Sequence, residues 1–293
     1  MAETGLTMTT DIQVEARKID FVSRFTQNWD ALREIMGIMR PIRKEPGTVL
    51  RSYKAELTLE DGNVAEGEKI PLSKATVTEV LHEDLTIQKY GKGISIEDVD
   101  AYGPEVAIVK TDEAFLNELQ GKVMGDFYAF LKTGTLKETA NDFQMAVAVA
   151  IGKVKDKFKK LHKDGSRVVV WVNTMDAYRY LGAAQLTVQS AFGIEYLKGF
   201  MGAETVILSS EIEEGTVIAC PVENIVNYYT DPSNSGYAQM GLKYTVDGET
   251  NLIGFAVEGD YSTATGKNWA IMGMKLWAEY IDAIAVVTVG AGA

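Results

Sequence analysis

Two histidines, His82 and His162, and one cysteine, Cys220, are all the imidazole and thiol that this sequence offers. Protein zinc sites draw mainly on these two residue types, and the histidines stand far apart, so no zinc centre is expected. Cys220 lies in the apolar run Val217-Ile218-Ala219-Cys220-Pro221 and reads as a small buried hydrophobe. A lone cysteine also excludes an internal disulfide. His162 falls in the charged stretch 157–167 and reads as a solvated surface residue, and His82, in Leu81-His82-Glu83-Asp84, as a turn residue. Phosphate-loop chemistry fails on its own terms. Gly266-Lys267-Asn268 has Tyr261 where the earlier glycine belongs and Asn268 where Ser or Thr belongs. Gly91-Lys92-Gly93 lacks the third glycine of a dinucleotide fingerprint, and no G-x-S-x-G nucleophile elbow occurs.

Carboxylates are the remaining candidates. Glu97, Asp98 and Asp100, and again Glu211, Glu213 and Glu214, are dense enough to hold a divalent cation. Acidic groups also gather at helix starts, where the exposed N–H groups attract negative charge, and that simpler reading is adopted. Lys153, Lys157, Lys160 and Lys163 read as the solvated face of a helix, with a local polyanion contact as the sharper alternative. No catalytic, cofactor-binding or metal-binding residue is therefore assigned, and no enzyme activity is expected.

The composition agrees. A net charge of -12 argues against a nucleic-acid clamp, which gains affinity by neutralising phosphates with Lys and Arg. The start, Met1-Ala2-Glu3-Thr4-Gly5-Leu6, lacks the basic and apolar regions of a signal peptide. The longest apolar runs fall far short of the ~20 residues that span a bilayer. A soluble protein made in the cytoplasm, without membrane contact, is the expectation.

The elements that must position anything functional are more telling. Residues 1–14 are polar and without period. From Glu15, Val22, Phe25, Trp29, Leu32, Met36 and Met39 recur at steps of three and four, predicting an amphipathic helix that Pro41 ends. In Val49-Leu50-Arg51-Ser52-Tyr53-Lys54-Ala55-Glu56-Leu57-Thr58-Leu59, Tyr53, Ala55, Leu57 and Leu59 alternate with polar residues, the period of a half-buried strand. At about 3.3 Å per residue this strand would extend roughly 36 Å, about twice the usual length. Its partner is expected to return from near Ile70 through Val77 and Val80, after an acidic, flexible tip containing Asp61, Gly62 and Glu68. A hairpin this long has little of its own domain to lie on and calls for a neighbour.

A long helix follows from Gly103-Pro104 to Gly134, with Leu116, Leu119, Val123, Phe127 and Phe130 on one stripe. About 28 residues at 1.5 Å give roughly 42 Å. Next come a helix over Phe143 to Leu161, a buried strand at Arg167 to Val172, a helix capped by Asn173-Thr174, and strands near 205–208, 215–219 and 224–229. From Gly236 the pattern is mainly β, with strands including 243–246 and 283–289. The strands before the long helix and those after the α/β insert are expected to share a sheet.

This order of parts resembles the major capsid proteins of tailed bacteriophages, whose fold is shared with herpesvirus capsid floors and encapsulin shells. The wording is similar too: Ile94-Ser95-Ile96-Glu97-Asp98 before the long helix with Asp126, Phe130-Leu131 and Gly134, and Arg24-Phe25, Leu32 and Met36-Gly37-Ile38-Met39-Arg40 before Gly47. The resemblance implies an α+β fold with an N-terminal arm (1–47), an extended hairpin loop (48–80), a peripheral domain with a spine helix (81–139 and 233–293) and an inserted axial α/β domain (140–232). It implies a structural shell protein. Copies would assemble as pentamers and hexamers into an icosahedral virion capsid in the host cytoplasm, around double-stranded DNA contacted weakly and non-specifically.

The further partners implied are a scaffolding protein, a portal and decoration proteins. Intersubunit contacts are expected at Trp29, Arg40, Tyr53, Leu57, Leu59, Asp61, Gly62, Glu68 and Lys69. Some members weld subunits through a Lys–Asn isopeptide bond; nothing in the sequence pairs Lys69 or Lys74 of the hairpin with an asparagine, and that weld is not carried over. The short stretch before the arm implies an uncleaved N-terminus. Two other readings stand beside the viral one: an encapsulin-type cellular compartment, and a hydrolase built on a carboxylate pair.

Overall fold

The computed structural model describes residues 39–45, 49–163, 165, 167–184, 188–191, 194–246 and 252–290. Trp29 and the helix expected from Glu15 lie outside them. Where that helix was expected to end, Met39 and Arg40 instead open a strand, β1 (Met39–Arg43), which pairs in parallel with β11 (Ile225–Thr230). Pro41 is tolerated because β1 is an edge strand, where a missing N–H need not break a ladder.

Five strands form the first sheet. The long β13 (Thr265–Ala278) pairs antiparallel with β11, with β12 (Ile253–Asp260) and with β4 (Ile87–Ser95). The strand before the long helix thus shares a sheet with those after the insert, as expected. Residues 243–246 add only a bridge from Thr245 to Phe255.

Ser95 ends β4 and caps α1 (Ile96–Pro104). Its hydroxyl accepts from Asp98 N–H at 3.1 Å, and the Asp98 carboxylate accepts from Ser95 N–H at 3.3 Å. Gly103, at φ 77°, ψ 159°, breaks this helix, a conformation that disfavours any residue with a Cβ. The helical path resumes at Pro104, passes through a π-helical turn (Glu105–Lys110) and continues as α2 (Thr111–Leu131). The Thr111 hydroxyl donates to the carbonyls of Ala107 (2.7 Å) and Ile108 (3.1 Å) across this junction. The expected spine is present, with a change of helical pitch near its start.

A second sheet has seven strands, in the order β5 (Leu136–Ala140), β14 (Ala285–Val289), β10 (Thr216–Pro221), β6 (Val168–Val172), β9 (Thr205–Leu208), β8 (Ile194–Lys198) and β7 (Gln189–Ala191). Its central strands are buried on both faces. Val168, Val170 and Val172, with Val217, Ala219 and Val287, pack with Val147, Ala150, Ile151 and Val154 of α3 (Phe143–Lys160). The alternate residues Val169, Trp171, Ile207, Ile218 and Cys220 share a core with Leu119, Val123, Phe127 and Leu131 of α2 and with Phe255 and Met272 of the first sheet. The helix α2 therefore unites both sheets in one core. α3 begins at Asp142, whose carboxylate accepts from Met145 N–H at 2.7 Å. Asn173 does the same for α4 (Thr174–Ala184), and a five-residue α5 (Ser235–Gln239) follows β11.

Sheet membership does not follow the boundaries expected at 140 and 232. β14 and all of β5 but Ala140 lie outside that span yet belong to the seven-stranded sheet, while β11 lies inside it and belongs to the other. Strand order is set by non-local pairing, which periodicity does not encode. His82 is likewise in β3 (Lys74–Asp84), not in a turn.

Cys220 is fully buried, and Asn224 Nδ2 donates to its sulfur at 3.5 Å. Burial pushes the thiol from 9.0 up to about 12. In the folded protein it should resist thiol reagents, and it should react at full rate only in denaturant. An unfolded thiol ionises near 9.0 and the folded one near 12, so its stabilising contribution is intact below 9.0 and is lost as pH rises between the two.

Candidate assembly surface

β2 (Val49–Thr58) and β3 form a two-stranded sheet of their own. Their register runs from Val49 opposite Asp84 to Thr58 opposite Lys74, with one irregularity between Val49 and Arg51. The return strand starts at Lys74 and not near Ile70, so residues 59–73 form the tip. At the base, Leu50 is buried against Val226 and Tyr228, with Trp277 beside them.

Beyond that anchor the ribbon displays apolar side chains to solvent. Leu57 is 57% exposed, Leu59 77%, Ile70 72%, Leu72 91% and Val77 61%. An isolated two-stranded hairpin is marginal in water. Burying five such side chains against a partner would supply on the order of 10 kcal/mol before the entropic cost of association.

The tip, expected to be flexible, holds itself in two turns. Asp61 accepts from Asn63 N–H (2.9 Å), Glu68 N–H donates to Ala65 O (3.1 Å), and Glu60 N–H donates to the Ser73 hydroxyl (3.1 Å). Gly67 supplies the φ of 89° that the second turn needs.

Of the residues expected at contacts, Tyr53 and Leu57 fall in β2, opposite Glu79 and Ala75. Leu59, Asp61, Gly62, Glu68 and Lys69 fall in the exposed tip. Arg40 is apart from them, in β1 opposite Val226. Of the acidic groups weighed as metal ligands, three have other partners: Asp98 caps α1, Glu213 pairs with Lys132 (3.1 Å), and Glu214 with Arg179 (3.0 Å). Of the lysines read as solvated, Lys153 pairs with Glu138 (2.6 Å), Lys157 with Asp282 (2.5 Å), Lys160 with Asp156 (2.7 Å) and Lys163 with Glu279 (3.3 Å).

One cluster escaped the sequence reading. Lys92 of β4 and Asn268 of β13 are direct cross-strand partners, and Asn268 also faces Val257 of β12. Asp112, at the start of α2, sits over them. Its Oδ1 accepts from Lys92 Nζ at 2.5 Å and from Asn268 Nδ2 at 2.7 Å, while Lys92 Nζ also reaches the Thr111 hydroxyl at 2.7 Å. Asp112 is 4% exposed and Asn268 1%. The signal was present in Tyr90-x-Lys92-x-Ile94, where a charge interrupts an inward apolar alternation.

No protein-family model matches the chain, and no curated protein sequence does. Solved structures do. The capsid structure of the cyanophage P-SCSP1u aligns over 88% of both chains at 8% identity, with a TM-score of 0.58. A structure from Mycobacterium phage Patience aligns over 100% of this chain and 95% of that one at 8% identity, with a TM-score of 0.57. A virus-like particle from Pyrococcus furiosus covers 92% and 97% at 11% identity, with a TM-score of 0.51. The fold is the α+β fold of tailed-phage major capsid proteins.

Proposed function

We propose that this protein is a non-enzymatic building block of an icosahedral shell. The observation that carries the reading is the hairpin: a ribbon anchored at Leu50, with apolar side chains up to 91% exposed at Leu72, projects from a subunit with the capsid fold. The occupant it calls for is a neighbouring copy, contacted through Tyr53, Leu57, Leu59, Asp61, Gly62, Glu68 and Lys69, with Arg40 and Trp29 contributing from the arm. Pentamers and hexamers would then close the shell. Double-stranded DNA is the proposed content, since a net charge of -12 suits a wall that must hold DNA without gripping it.

Electron microscopy of the purified protein, expressed alone and with its neighbouring genes, tests this. Closed shells, tubes or rings are expected. A monodisperse monomer under both conditions would remove the proposal. Nucleic acid inside particles from the source separates a virion from a cellular compartment.

A further inference from the structure

The geometry points to an internal covalent cross-link: we propose that Lys92 Nζ and Asn268 Cγ join as an isopeptide bond, with Asp112 as the catalytic carboxyl group. Three observations carry it. The nucleophile and the electrophile are cross-strand partners on one face of the first sheet, so their Cβ atoms stand about 5 Å apart. Both nitrogens already meet on one carboxylate oxygen, Asp112 Oδ1, at 2.5 and 2.7 Å. The row around them is apolar: Tyr90 pairs with Ala270 and Ala270 with Phe255, all in or against the core, and Val257 faces Asn268 directly.

In such surroundings an ion pair is costly to desolvate, and proton transfer from ammonium to carboxylate relieves the cost. The step then balances. Asp112 takes a proton from Lys92, leaving a neutral amine. The Nζ lone pair forms a bond to Asn268 Cγ, and the proton held by Asp112 passes to Nδ2, the atom its Oδ1 already meets. The Cγ–Nδ2 bond breaks, ammonia leaves, and the proton that Nζ sheds on becoming an amide returns to Asp112. No oxidant or metal is needed. Asn268 also lines an apolar recess of about 400 Å³ with Ile94, Val99, Ile108 and Val257, which provides the leaving group a way out. The bond lies within one subunit and stands whether or not the protein forms shells.

Intact-mass spectrometry of the purified full chain, before any assembly, is the test. The folded protein should be lighter than its sequence by ~17 Da, one ammonia. A tryptic digest should contain fragment 90–110 joined to fragment 268–275. Lys92→Arg keeps the charge opposite Asp112 but offers a guanidinium that does not deprotonate, so this variant should fold, show its full mass and yield no joined fragment. Asp112→Asn, which keeps the shape and removes the acid, should also show full mass. Full mass in the wild-type protein, after the folded chain has stood for days at neutral pH, overturns the proposal and leaves an ordinary buried ion pair. So does a mass loss that maps to any other pair of residues.

Discussion

Removing residues 61–68 should leave subunits that fold with unchanged stability and do not close into particles. The hydrogen bonds of this tip run within the tip itself, among Glu60, Asp61, Asn63, Ala65, Glu68 and Ser73, and its side chains are largely solvent-exposed. Surface changes remote from the core typically move stability by less than about 0.5 kcal/mol. Assembly is different, because every subunit loses the same contact. The point substitution Leu72→Ser separates shape from apolar contact. If Leu72 is buried by a neighbour, its loss removes roughly 1.5–3 kcal/mol at each interface. Denaturation of the unassembled subunit and sedimentation of the assembly mixture read the two effects independently. Wild-type particle yields from the deletion would sink the assigned role of the tip.

Trp171→Ala should destabilise the subunit by about 3–5 kcal/mol, a large part of the stability of an ordinary domain. The indole is fully buried at the meeting of α2 and the seven-stranded sheet, and its ring stands edge-on to Phe127 at 5.8 Å. Trp171→Phe should cost much less than its lost volume suggests. The indole N–H has no hydrogen-bond acceptor among the described residues, so phenylalanine removes a buried unsatisfied donor along with the bulk. Urea denaturation of the three proteins gives the ranking. Equal losses for Ala and Phe would mean that the N–H is satisfied in solution and matters to the core.

Local chemistry was easy to read from the residues. The strand at Val168–Val172 was visible in its unbroken β-branched content, α3 in its apolar stripe and α4 in its Asn173 cap, because each depends on near neighbours. The hairpin was readable for the same reason, although its return strand begins later than the Ile70-Pro71-Leu72 run suggested. What was hidden depends on pairing across long separations. Met39 and Arg40 looked like the last residues of a helix and instead open a strand because β11 supplies its hydrogen bonds. Lys92 looked like part of a failed glycine motif, and only the register against Asn268 and the approach of Asp112 reveal its setting. The assembly surface was partly legible: alternation shows that one face is apolar, but not which copy covers it.

The placement of β14 bears on how the protein is made. Residues 285–289 leave the region of the first sheet and slot between β5 and β10, filling a gap in the second. A ribosome delivers them after every segment that they bind. Until they emerge, β5 is cut off from the rest of its sheet, and Val217, Ala219 and the apolar side of α3 lack Ala285 and Val287 as cover. The seven-stranded sheet therefore closes only after β14 has been translated, and a nascent chain that lacks β14 has no finished surface to offer another copy.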